Sequence, residues 1–291
     1  MKKLTFYIVD VFAEEKFAGN QLAVFRSCAK LTSEQMQSIA REMHFSETTF
    51  IMSEEKYNGG YEVRIFTPVA EVPFAGHPIL GTAHIIRTEI ATDAPGEVLI
   101  NLKVGQIPVT FGGDISWMKQ VPPEFGNKID AASVAEVLGL RRSEIDERFP
   151  VEEVSTGLPH IIVPLKKIDS LKRVRVSLDK YCGFIKNTWA KPILIFCPES
   201  HEGLNNISVR MFADCYGVPE DPATGSGNGC LAAYLVKNRY WGKNKINVRS
   251  EQGYEINRPS LLYLKAEEIG GQINVFVGGK SITIARGEMF I

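Results

Sequence analysis

The sequence predicts an α+β protein of two pseudo-symmetric halves, each a β-sheet or barrel wrapped around one central apolar helix. Three observations carry this. Two polar, glycine-bearing loops, one around Gly76 and one around Gly225, run straight into segments (79–86 and 230–236) with almost no polar face, and a helix apolar all round must be buried. Much of the remaining chain reads as short alternating strands. The second half also replays the first. Val63-Arg-Ile-Phe66 matches Val209-Arg-Met-Phe212 at an offset of 146, Ala75-Gly76-His77 matches Thr224-Gly225-Ser226, and Val104-Gly105 matches Gln252-Gly253. The period far exceeds that of a solenoid, so one domain has been duplicated.

In chain order, residues 3–11 alternate as a strand, Phe17-Ala-Gly-Asn20 turns, and 21–25 return. Leu31-Thr-Ser-Glu34 opens a helix to about residue 43, with Met36, Ile39, Ala40 and Met43 at helical spacing. Strands at 46–51 and 61–66 precede the first apolar helix, for which Pro78 is expected at the first helical position and an end near residue 89. A hairpin around Gly105 joins 97–102 to 106–111, and Val121-Pro-Pro-Glu-Phe-Gly126 reads as a linker. In the second half, Gly157-Leu-Pro-His160 leads into a strand at 161–164, and a helix at 177–186 takes the place of the one at 33–43. Ser226 is the expected N-cap of the second apolar helix. Residues 273–277 and 281–284 form a closing hairpin expected to cross back to the first half. The predicted repeats are therefore 1–118, completed by a strand at 280–291, and 119–279.

With 291 residues, 44% of them apolar, 23% charged and a formal net charge of −1, the chain has no global field to draw it to nucleic acid or a membrane surface. Any anion site must be local. The five cysteines form no CxxC and no even framework, which predicts free thiols in a reducing cytoplasm. The apolar run at 4–9 is cut short by Asp10, as in a strand rather than a signal peptide, and no apolar run reaches membrane-spanning length.

The chemistry is expected at the helix starts. Unpaired N–H groups and the macrodipole make each a ready anion site, and Gly225, Gly227 and Gly229 let the backbone of the second come close to a small anion. Glu47, in Phe45-Ser-Glu-Thr-Thr-Phe50, reads either as an exposed strand acid or as a general acid–base. His77 is an unusual residue for a helix start, and Asp221 precedes Pro222 in the matching loop. Singly, these read as a packed histidine and a turn carboxylate; their shared place in the repeat favours a joint role. Asn20 serves an Asx-turn or a substrate amide contact, and Cys230 reads as a small core residue. Gly225-Ser-Gly-Asn-Gly229 is not a dinucleotide fingerprint, Val277-Gly-Gly-Lys-Ser281 lacks the first P-loop glycine, and the histidines form no H-E-x-x-H metal pattern.

Taken together, Gly19-Asn20 with Ala23-Val24, Ala40-Arg-Glu with Ser46-Glu-Thr, Phe66-Thr-Pro68 with Glu71-Val-Pro and Gly76-His77, and Asp221-Pro-Ala-Thr-Gly-Ser-Gly227 resemble the PhzF-like family of phenazine-biosynthesis isomerases, in order along nearly the whole chain. The resemblance implies the diaminopimelate epimerase-like fold, a site in the cleft between two domains, closure that excludes water, a homodimer, and no metal or organic cofactor. It implies an isomerase with Glu47 shuttling a proton, His77 and Asp221 assisting, and Asn20, Gly76, Gly225 and Ser226 binding a small anionic metabolite. The related two-thiol epimerases carry cysteines at positions that here are Ala75 and Thr224. A thiol-based racemase is thus argued against. A non-cysteine epimerase and a catalytically silent metabolite-binding module stand as the alternatives.

Overall fold

A computed structural model describes residues 3–291. The chain divides into two compact units, one comprising the chain through Met118 together with Gly278–Ile291, the other Lys119–Val277.

The first unit contains β1 (Lys3–Val11), β2 (Asn20–Phe25), α1 (Ser33–Met43), β3 (Glu47–Ile51), β4 (Tyr61–Phe66), β5 (Glu71–Val72), α2 (Gly76–Ile85), β6 (Glu97–Leu102), β7 (Gly105–Gly112) and most of β8 (Ile115–Lys119). The second contains β9 (Glu124–Ile129), α3 (Ala131–Leu138), β10 (Val151–Ser155), β11 (Pro159–Pro164), α4 (Ile168–Arg173), α5 (Leu178–Phe184), β12 (Ile193–Cys197), β13 (Ile207–Ala213), β14 (Val218–Asp221), α6 (Gly225–Lys237), β15 (Lys245–Gln252), β16 (Ser260–Ile269) and most of β17 (Gln272–Gly279). The last strand, β18 (Ser281–Phe290), belongs to the first unit and pairs antiparallel with β1 from Lys3↔Phe290 to Val11↔Ser281.

Strand pairing makes the duplication explicit. In the first unit the order β18-β1-β2-β3-β4-β6-β7 runs antiparallel, antiparallel, parallel, antiparallel, parallel, antiparallel. In the second, β9-β10-β11-β12-β13-β15-β16 repeats the same series of senses. The C-terminal β18 therefore plays for the first unit the part that β9 plays for the second.

Each sheet curls around its apolar helix. α2 packs on β1, β2, β3, β6, β7 and β18, and α6 on β10, β11, β15 and β16. Every residue of α2 except His84 is buried. Gly81 marks the closest approach: a Cβ there would stand 2.6 Å from Leu22 Cδ2 and 2.7 Å from Val11 Cγ2. On the outer face of the first sheet, α1 buries Met36, Ile39 and Ala40 against a core that includes Phe25, Phe50 and Phe66. Thr32 caps it through a reciprocal capping box with Gln35.

Several boundaries differ from expectation. The predicted linker at 121–126 holds the start of β9, whose partner β10 lies far along the chain. The α-helix of α2 ends at Ile85, and residues Ile86–Ile90 continue as a π-helical turn. Pro78 is the third helical residue, still within the stretch where a missing N–H costs nothing. α6 begins at Gly225 with Thr224 in the N-cap place, so Ser226 lies inside the first turn. The helix expected at 177–186 is shorter, and α4 precedes it.

A bidentate Arg–Glu pair recurs in both units, bracing the segment that leads into each central helix. Arg64 Nε and Nη2 donate to Glu71 at 2.8 and 2.9 Å, and Arg210 Nε and Nη2 donate to Glu220 at 2.9 and 2.7 Å. Hydrogen bonds from Arg64, working against burial, hold the Glu71 carboxyl down to about 2. Because that folded-state value is depressed, the stabilisation is present above the ordinary carboxylate range and is lost as pH falls through about 2. The Arg210 side chain is only 5% exposed against 19% for Arg64. Removing the paired carboxylate should therefore cost more there, although Arg210 keeps the Glu255 carboxylate 3.9 Å away and the Leu171 and Val174 carbonyls as acceptors. Urea unfolding should show Glu71→Gln losing about 1–2 kcal/mol and Glu220→Gln about 3 kcal/mol; equal losses would contradict the burial argument.

Candidate active site

In the first unit β2 and β3 run parallel with Leu22 opposite Glu47, so both strands start at one edge of the sheet. The α2 N-terminus belongs to the same cluster. Burial there pushes His77 down to about 3, partly offset by a hydrogen bond to the Gln21 backbone carbonyl. His77 is thus a neutral imidazole. Its Nε2 stands 3.5 Å from Glu47 Oε2. With the Nδ1 hydrogen donated to Gln21, Nε2 presents a lone pair to the carboxyl group. The contact is therefore not an ion pair: a neutral ring nitrogen faces the carboxyl group across 3.5 Å. Two residues further along β3, Thr49 Oγ1 and Thr82 Oγ1 share a buried hydrogen bond of 2.7 Å, which pins the strand to α2 and fixes Glu47 relative to the helix start. Asn20 is buried at the start of β2, beside Gln21. Gly19 before it has φ +69°, and a Cβ there would lie 2.3 Å from the Val11 carbonyl oxygen.

In the second unit a buried polar network holds Asp221 and the start of α6. Thr224 Oγ1 donates to Asp221 Oδ2 at 2.5 Å. Gln252 Nε2 donates to the Asp221 carbonyl at 2.8 Å and to Thr224 Oγ1 at 3.0 Å, while its Oε1 accepts from Thr224 N and from Asn228 Nδ2. Ser250 Oγ closes the chain by donating to Asn228 Oδ1 at 2.7 Å.

Neither helix start carries a side-chain cap. Ala75 has no acceptor to offer α2, and Thr224 spends its hydroxyl on Asp221 rather than on α6. The first N–H groups of Gly76 and His77, and of Gly225 and Ser226, are the donors such a start presents to an anion.

The structure thus groups Asn20, Glu47, Gly76 and His77 in one unit, and Asp221, Gly225 and Ser226 in the other. Sequence reasoning missed Thr49, Thr82, Asn228, Ser250 and Gln252, polar residues whose burial depends on distant partners. Cys230 is fully buried, and burial pushes its thiol up to about 12, which removes it as a nucleophile. Among the described residues no cluster of His, Cys, Asp and Glu is placed to hold a metal ion, and no helix is long and apolar enough to cross a membrane.

Residues 9–287 match the PhzC-PhzF family, described as phenazine biosynthesis-like protein. The chain belongs to this family. A trans-2,3-dihydro-3-hydroxyanthranilate isomerase of Pseudomonas aeruginosa is 34% identical over 98% of the chain and 99% of its own length. The fold matches that of a PhzF-family phenazine biosynthesis protein of Bacillus anthracis, with a TM-score of 0.90 at 24% identity over 100% of both chains. A hydroxyproline epimerase of Agrobacterium vitis superposes with a TM-score of 0.64 at 10% identity, covering 99% of this chain and 91% of that one. The architecture is therefore the epimerase-like one expected from the sequence, and the PhzF-like chain is an enzyme of the isomerase class.

A neutral His77 has a measurable consequence. Its folded-state value lies below the ordinary histidine range, so it favours the folded state above about 6.5 and opposes it progressively as pH falls toward 3. In 15N NMR of the imidazoles, His77 should remain the neutral tautomer with Nδ1 protonated from pH 8 to pH about 4.5. A midpoint near 6 would contradict the burial argument.

Proposed function

We propose that this PhzF-like chain is a cofactor-independent isomerase that moves a proton between carbons of a small, cyclic or unsaturated carboxylate, with Glu47 as the general acid–base. The observation that carries the reading is the Glu47 carboxyl 3.5 Å from the lone pair of a neutral, buried His77 at an uncapped helix start. In this reading the Glu47 carboxylate removes a proton from one carbon and becomes the acid. His77 Nε2 accepts a hydrogen bond from that acid and holds the proton in place. Glu47 then returns it to a second carbon, regenerating the carboxylate, so no redox partner is called for. The backbone N–H groups at the α2 start, Gly76 and His77, bind the substrate carboxylate, and Asn20 contributes its amide; Gly225 and Ser226 present the equivalent start in the second unit. Preorganised dipoles of this kind also stabilise the charge that develops when the proton leaves carbon. In the second unit Asp221, oriented by Thr224 and Gln252, stands beside the other helix start as an acceptor for an amine or hydroxyl.

The relative's name supplies the first substrate to try, trans-2,3-dihydro-3-hydroxyanthranilate, which bears a carboxylate, an amine and a hydroxyl on an unsaturated ring. Proton NMR in D2O should show isomerisation with deuterium entering at carbon for the wild type, and a loss of at least about a hundredfold for Glu47→Gln. Undiminished turnover in the variant would remove Glu47 from the reaction.

A further inference from the structure

Eight non-glycine residues among those described have positive φ, and one of them, Phe17, is a large apolar side chain left in solvent, with φ +68° and 71% exposure. For a bulky residue that conformation is a true outlier, and it persists only where the surroundings impose it. Here they do. The Phe17 N–H donates to Asp10 Oδ2 at 2.8 Å, and Asp10 is itself 1% exposed. The base of the loop is fixed as well. Phe12 N and Ala13 N donate to the Lys280 carbonyl at 2.8 and 3.3 Å, Lys280 Nζ bonds Glu14 at 2.8 Å, and Phe12 and Ala18 are buried. A buried carboxylate and a strained conformation are thus committed to holding in one place the backbone that carries an exposed ring.

That place is set by the sheet. Phe17 precedes Asn20 by three residues, at most about 10 Å of chain. Asn20 opens β2 at the edge where Glu47 opens β3, and the intervening Gln21 carbonyl holds His77.

We infer that Phe17 is a specificity-determining residue, its ring forming an apolar wall on which the ring of a cyclic carboxylate substrate stacks. The inference rests on the functional reading above for the substrate's carboxylate but not for the proton transfer. Ring stacking in offset or edge-on geometry adds to the area buried, and a backbone already held in place loses little freedom on binding. A carboxylate of equal charge without a ring gains nothing from Phe17.

The test measures binding, so it is independent of turnover. Calorimetry or NMR titration would compare anthranilate, a planar ring carboxylate, with acrylate, an acyclic one, on wild type, Phe17→Asn and Phe17→Tyr. Asparagine tolerates positive φ, so Phe17→Asn should melt no lower than wild type while binding anthranilate roughly tenfold more weakly and acrylate equally. Phe17→Tyr keeps the ring and should stay within about twofold of wild type. Unchanged anthranilate affinity in Phe17→Asn would overturn the proposal, as would a wild type with no preference for anthranilate over acrylate. If Glu47→Gln kept full turnover, the acid–base reading would fall while these binding results stood.

Discussion

A helix apolar on every side must be buried along its whole length, and burial brings its N-terminal N–H groups into a region with little water to satisfy them. Most proteins answer with a side-chain cap worth about 1 kcal/mol. In this chain the cap is missing twice, at Ala75 and at Thr224, once for each copy of the fold. Much else in the structure follows from that constraint. The curled sheets exist to enclose α2 and α6, and Gly81 lets the sheet close onto the first of them. The Arg64–Glu71 and Arg210–Glu220 clamps brace the segments that enter the two helices. With a net charge of only −1, such local donors, rather than any global field, are what the chain can offer an anion.

The two copies share a scaffold and have diverged in their polar side chains. The first holds a carboxyl beside a neutral imidazole, where burial keeps the base from charging and leaves its lone pair toward Glu47. The second has no such pair at the matching helix start. It commits an amide network, Gln252 to Asn228 to Ser250, to fixing one aspartate and one threonine. Duplication supplied two equivalent helix starts, and the division of labour arose in the residues that surround them.

Much of this was legible in the sequence because the information was local or repeated. The apolar runs at the two helices, the Val-Arg-hydrophobic-Phe strands and the paired glycine loops are contiguous patterns, and two copies of each reinforced the reading. The Arg residues of both clamps lie within the repeated strand motif itself. What failed was non-local. Pro122-Pro123 punctuates the chain, so 121–126 reads as a linker, yet β9 starts there because β10 offers it an edge. Ser226 has the chemistry of a cap, but the chain enters helical geometry one residue earlier, and the residue in the cap place turns its hydroxyl to Asp221. Gln252 and Asn228 look like ordinary polar residues until folding buries them together, and no local pattern announces a bond between residues 24 apart.

The central claim is that the uncapped start of α2, beside Glu47 and His77, receives the substrate carboxylate, and amide chemical shifts report on it directly. Titrating anthranilate into 15N-labelled protein should move the amide signals of Gly76 and His77 in a saturable way. Saturable shifts confined to other amides, with these two unmoved, would contradict the account.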